Sequence, residues 1–204
     1  MLSFHNDPKI KDKYLDRVRK NGGAVGCTLE HYDDERYPIE LGLPVWLARL
    51  EEEIFNNLPV DEAKRWPEKF LKAIPVGVDT EIVRHQLAVR RMDRLIKLQE
   101  ELLVKSDGDL KSVIKKTIAA INMVKTCHEA EVNKTVCKIS FADAARSAAR
   151  YAEWSVASSA EFSAARSVMS AMLAELSARS AAWKQEADDL LELLANLKSN
   201  NKKC

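Results

Sequence analysis

Every glycine and every proline of this chain lies at or before Gly108; residues 109–204 contain neither. Such a stretch lacks both the residue that best tolerates positive φ and the residue that breaks helices. Long helices are therefore expected there. Ala and Ser dominate its last third, in AARSAAR at 144–150, SAARS at 163–167 and SARSAAW at 177–183. This is compositional bias rather than an array of folded repeats. Ala142, Ala145, Ala149, Ala152 and Val156 keep a three–four spacing, as do Phe162, Ala165, Met169, Met172 and Leu176, and then Ala187, Leu190, Leu194 and Leu197. Small residues in such seams let helices approach to the near end of the ~8–10 Å range. The seams point to a homo-oligomer, and a hairpin within one chain would bury them equally well. One continuous helix and a hairpin broken near Ala157–Ala160 both fit.

The front half is punctuated. Asn6-Asp7-Pro8 reads as a cap before proline at the first helical position, with a short charged helix over Lys9–Lys20 stopped by Asn21-Gly22-Gly23. Residues 23–38 read as a loop, with room for a short strand at Ala24–Leu29. Leu43–Asn57 is expected to be helical: Trp46, Leu47, Leu50, Ile54 and Phe55 fall on one face, with Arg49, Glu51, Glu52 and Glu53 on the polar side. Short helical stretches follow Asp61 and Pro67 and end at Pro75 and Gly77. Asp79-Thr80 caps a helix over Glu81–Lys105, and Ser106–Asp109 turns the chain into another over Leu110–Lys134. The expected fold class is mostly α-helical. Residues 1–108 would form a loop-and-helix module holding the site, and 109–204 a long-helix packing region.

With 204 residues, 46% hydrophobic and 31% charged, the chain has the composition of a globular protein. Its net charge of +1 argues against a nucleic-acid binder working by bulk charge. That average hides an asymmetry. Glu30–Glu68 holds 4 basic and 11 acidic residues, net −7, and Arg84–Lys134 holds 11 basic and 7 acidic, net +4. No run is apolar and long enough for a membrane span, and the N-terminus has no signal-peptide core. Cys27, Cys127, Cys137 and Cys204 are widely spaced, which reads as free thiols in a reduced, cytoplasmic protein.

Residues 22–79 combine GGAVGCTLE, YPIELGLP and LARLEEE. This block resembles an uncharacterised family of bacterial and phage proteins marked by a Gly-Cys-Ala-Val-Gly-Cys-Thr-Leu-His-like start, Tyr-Pro-Ile-Glu-Leu-Gly-Ile-Pro and Leu-Ala-Arg-Leu-Glu-Asp, often with Ala/Ser/Arg-rich tails. The resemblance implies that residues 22–79 are the shared module and that the chain has a phage or prophage origin. Gly23 stands where the family pattern has its first cysteine, and Glu30, not His31, stands where it often has histidine. The resemblance therefore implies no two-cysteine site and supplies no activity.

Among constellations that carry chemistry, Gly22–Cys27, with Gly23 and Gly26, can form a tight loop whose backbone N–H groups bind phosphate or carboxylate. It lacks the lysine of a P-loop and the spacing of the dinucleotide fingerprint. Cys27 and His31, four apart with Asp33 and Asp34 beyond, hold the parts of a thiolate nucleophile, although thiol–imidazole pairs are usually assembled from distant segments. Cys27, His31, Cys127, His128 and Cys137 are metal-ligand types without the paired spacing that marks a zinc site. Arg84, Arg91 and Arg94 share a broad face of one expected helix and can grip phosphates. A structural turn and a solvated face paired with the acidic block are the plainer readings of the loop and the arginines. If loop and face converge, they make a pocket for a small anionic, nucleotide-like ligand. The leading expectation is thus a non-enzymatic protein that sequesters or senses such a ligand, conceivable as a phage counter-defence protein. The alternatives are a protein–protein inhibitor using the acidic Glu30–Glu68 surface and a small thiol hydrolase using Cys27. No cofactor, metal or membrane partner is expected.

Overall fold

The computed structural model describes residues 1–21, 33–137 and 168–200, with side chains throughout except at Asn21, at Asp109 and outside 180–197 in the last span. The fold is all-helical: the described residues form eight α-helices and no strand. They are α1 (Pro8–Asn21), α2 (Tyr37–Leu41), α3 (Val45–Asn57), α4 (Val60–Ala63), α5 (Trp66–Ala73), α6 (Glu81–Val104), α7 (Gly108–Val132) and α8 (Val168–Asn200). Two compact units result, one of Met1–Val83 with Met169–Cys204 and one of Arg84–Val168, the boundary falling within α6.

In the first unit the chain starts with an unusual turn. Phe4, His5 and Asn6 have φ of 53°, 50° and 60°. Left-handed backbone costs an L-residue about 1–2 kcal/mol, so the turn must be held from outside. Ser3 holds it: its N–H donates to Val78 O at 2.9 Å, its carbonyl accepts from Gly77 N at 3.0 Å, and its Oγ donates to Pro75 O at 2.5 Å. Val78 N in turn donates to Ser3 Oγ at 3.0 Å. Phe4 is fully buried. Gly77 (φ 74°) and Gly42 (φ 63°) flank the turn, and a Cβ on either would collide with Asn6 Oδ1 or Leu2 O respectively.

Asp7 then caps α1 through Lys9 N at 2.9 Å, with Pro8 in the first turn as expected. Tyr14, Leu15 and Val18 turn inward, and Lys11 Nζ donates to Lys72 O at 3.0 Å and Ile74 O at 2.5 Å, joining α1 to the carbonyl end of α5. A cation is favoured there because those carbonyls carry the negative end of the helix dipole. The core gathers Phe4, Leu41, Leu43, Leu47, Ile54, Trp66, Phe70 and Leu71. Glu51, expected on the polar side of α3, is instead 5% exposed. It accepts from Tyr37 Oη at 2.6 Å, and its backbone carbonyl accepts from Trp66 Nε1 at 3.1 Å.

The last helix, α8, belongs to this unit: Lys184 meets Glu62 at 2.8 Å. Ala187, Leu190 and Leu194 are buried within the chain, so this seam needs no second copy to cover it. The seams of Ala142–Val156 and Phe162–Leu176 fall outside the described side chains.

In the second unit α7 returns along α6 after a short turn: His128 meets His85, and Lys125 meets Asp93 at 2.6 Å. Val113, Ile114, Thr117, Ala120 and Ile121 are buried. One expectation is corrected here. Cys127 and Cys137 are not separate thiols but a disulfide, their Cα atoms 5.2 Å apart. Ten residues of continuous helix would separate them by about 15 Å. Instead α7 ends at Val132, Lys134 takes φ 54°, and Thr135 N reaches back to Ala130 O at 2.8 Å. That left-handed cap folds Cys137 back onto the helix. Cysteine usage therefore no longer argues for a reducing compartment.

Candidate functional site

Along α1, with Tyr14, Leu15 and Val18 facing the core, the opposite flank carries Ile10, Lys13, Arg17 and Lys20. In α2 the buried pair Tyr37 and Leu41, four apart, turns Ile39 and Glu40 outward. Between them lies a groove of about 810 Å³ lined by Ile10, Lys13, Tyr14, Asp16, Arg17, Lys20, Arg36, Ile39 and Glu40. Among the described residues, four cationic side chains face two acidic ones along the groove, a net charge of +2 for this lining.

The charges are not equivalent. Glu40 pairs with the Arg36 guanidinium and accepts the Tyr14 hydroxyl. Burial, and then the bond to Glu40, push the Tyr14 phenol up to about 12, so it stays protonated at neutral pH. Asp16 pairs with Arg19 at 3.3 Å, and Arg19 also meets Glu68 at 2.9 Å. Lys13 Nζ sits over the Tyr14 ring, 5.2 Å from its centroid. Ile39, 75% exposed, stands as an uncovered apolar wall beside these cations.

The residues singled out in the sequence lie elsewhere. Gly23, Gly26, Cys27 and His31 fall outside the described residues. Arg84, Arg91 and Arg94 lie on α6 within the second unit; Arg84 is exposed, the other two are half-buried, and all three have interaction partners. The described geometry therefore does not include the convergence of glycine loop and arginine face. The α1 row was missed, although its signal was present: Lys13, Arg17 and Lys20 stand at i, i+4 and i+7 in a stretch read only as a charged helix.

Much of the acidic Glu30–Glu68 block is occupied within the chain. Asp34 and Glu35 meet Arg49, Glu40 meets Arg36, Glu51 is buried, Glu62 meets Lys184, and Glu68 meets Arg19 and Lys72. Arg49 holds the Asp34 carboxyl below its ordinary value, and Lys72 and then Arg19 do the same for Glu68.

A second cluster lies in the other unit. His85 and His128 approach Nδ1 to Nδ1 at 3.1 Å, a hydrogen bond that one neutral ring must accept. Burial first, then His85 and Arg84, hold His128 below the usual histidine value, against an opposing pull from Glu131. Among the described residues no group of three or more His, Cys, Asp or Glu side chains is placed to hold a metal ion, and no helix is long and apolar enough to cross a membrane. Compared with known proteins, the chain matches no family model, no curated protein and no solved structure.

Proposed function

We propose that this chain is a non-enzymatic binding protein that holds a small anionic, nucleotide-sized ligand in the groove between α1 and α2. The observation that carries this reading is the cationic lining, Lys13, Arg17, Lys20 and Arg36, of a cavity of about 810 Å³. Ligand pockets generally measure about 300–1,000 Å³ and combine apolar walls with a few directed polar groups. Ile10, Tyr14 and Ile39 provide the walls, and the lysines and arginines provide charge-assisted donors for phosphate or carboxylate. The lining is suited to holding rather than converting a ligand. Its phenol is kept protonated, and its half-buried carboxylate is engaged by Arg36 and Tyr14. Sequestration or sensing of the ligand is the activity that follows, and the phage origin implied by residues 22–79 suits removal of a host signal. The internal pairing of the acidic block favours this reading over an inhibitor that docks that block on a basic partner.

A thermal-shift screen of the purified chain against nucleotides, sugar phosphates and dicarboxylates tests the proposal. A specific anion should raise the melting temperature, and Lys13→Glu with Lys20→Glu should remove the rise. No shift across the panel contradicts it.

A further inference from the structure

We infer that the ligand carries a row of anionic groups, as in a nucleoside oligophosphate, and that α1 reads this row while Glu40 limits its affinity. This rests on the proposed anion-binding role of the groove and adds the ligand's charge pattern.

The argument starts from helix geometry. Lys13, Arg17 and Lys20 stand at i, i+4 and i+7, and with ~1.5 Å of rise per residue they are spaced by about 6 Å and then about 4.5 Å along the axis. The row is thus about 10 Å long, more than one phosphate can span and comparable to a short oligophosphate chain. Arg36, across the groove, is paired with Glu40. Asp16, on the same stretch, is drawn to Arg19.

The apolar lining gives the groove a direction. Ile10 lies in the first turn of α1, one turn ahead of Lys13, and Lys20 lies in its last turn. A ligand with an apolar ring at one end and charge at the other fits with its ring toward Ile10 and its phosphates along Lys13, Arg17 and Lys20. Each added phosphate then gains a charge-assisted contact, which is commonly worth about tenfold or more in affinity. Glu40 opposes every anion in the groove. Replacing it by Gln keeps an acceptor for the Tyr14 hydroxyl and raises the groove charge by one.

Isothermal titration of adenosine, AMP, ADP, ATP and tripolyphosphate into the full chain tests this. The expected result is affinity rising at least tenfold from AMP to ATP, with adenosine weakest. Lys20→Ala should weaken ATP about tenfold and AMP less than twofold, and Glu40→Gln should tighten ATP severalfold. Equal affinity for AMP and ATP, or an equal loss for both in Lys20→Ala, would overturn the charge-row inference while leaving an anion-binding groove in place. Weaker ATP binding by Glu40→Gln would overturn the role given to Glu40. No binding by any of the five probes would overturn the inference and count against the proposed function as well.

Discussion

The Tyr37 hydroxyl donates a 2.6 Å hydrogen bond to Glu51 Oε2 inside the first unit, joining α2 to α3 through a carboxylate that is almost wholly buried. Glu51 also orients Trp66, whose indole N–H donates to the Glu51 carbonyl. Tyr37→Phe takes one donor from a buried carboxyl group, and leaving such a group short of a partner typically costs about 1–3 kcal/mol. Urea unfolding should show that loss, whereas Glu53→Gln on the exposed side of α3 should leave the midpoint unchanged. A neutral Tyr37→Phe would mean that the carboxylate does not depend on this donor.

The left-handed N-terminal turn predicts sensitivity at Gly77. Gly77→Ala places a Cβ against Asn6 at a backbone φ of 74°. Strain of this kind costs on the order of 1–3 kcal/mol. Thermal unfolding should show a melting point several degrees lower, and Val76→Ala, one residue away and with no such clash, should have the smaller effect.

Pairing of Cys127 with Cys137 closes a ten-residue separation. In the chain-entropy model a closed loop of that size is worth about 3 kcal/mol. Non-reducing peptide mapping should recover the 127–137 cross-linked peptide, and Cys137→Ser should lower stability by about that amount. Recovery of both residues as free thiols from protein isolated without reductant would contradict the pairing.

How far could these features be read from the sequence? Most helices of the front half could, because their stops are chemical; α2 could not, since it opens with Tyr37 and Pro38 at the end of the stretch read as a loop. Asp7-Pro8 starts α1, and the apolar spacing of Leu47, Leu50 and Ile54 locates α3. Glu51 could not, because its partner Tyr37 comes from another helix and leaves no mark on the periodicity of α3. The disulfide was hidden by an uninterrupted helical pattern that contains no glycine at the left-handed position, which Lys134 fills. At α8 the spacing of Ala187, Leu190 and Leu194 correctly marks a face to be buried, but spacing cannot say whether the cover is the same chain or another copy. The cationic row on α1 was legible as residues. Its meaning depends on Arg36, Ile39 and Glu40 lying opposite, which only the fold supplies.

His128 predicts a pH dependence with a definite sign. Its folded-state value lies below the usual 6.5, chiefly through burial. Between that lowered value and about 6.5 the unfolded chain binds the extra proton, so stability rises with pH across this window. Acidification from pH 7 should therefore destabilise the wild type progressively as pH falls through the folded-state value. His128→Gln should flatten this part of the profile, and superimposable profiles for the two proteins would contradict the assignment.

The central claim, that the α1–α2 groove is the ligand site, is tested most directly by comparing charge reversals on the two cationic faces. ATP would be titrated calorimetrically into the wild type, into the Lys13→Glu, Lys20→Glu double variant, and into Arg91→Glu, with circular dichroism confirming that each is folded. The predicted result is binding by the wild type and Arg91→Glu and its loss in the double variant. Binding that survives in the double variant but disappears in Arg91→Glu would place the site on α6 and contradict the account.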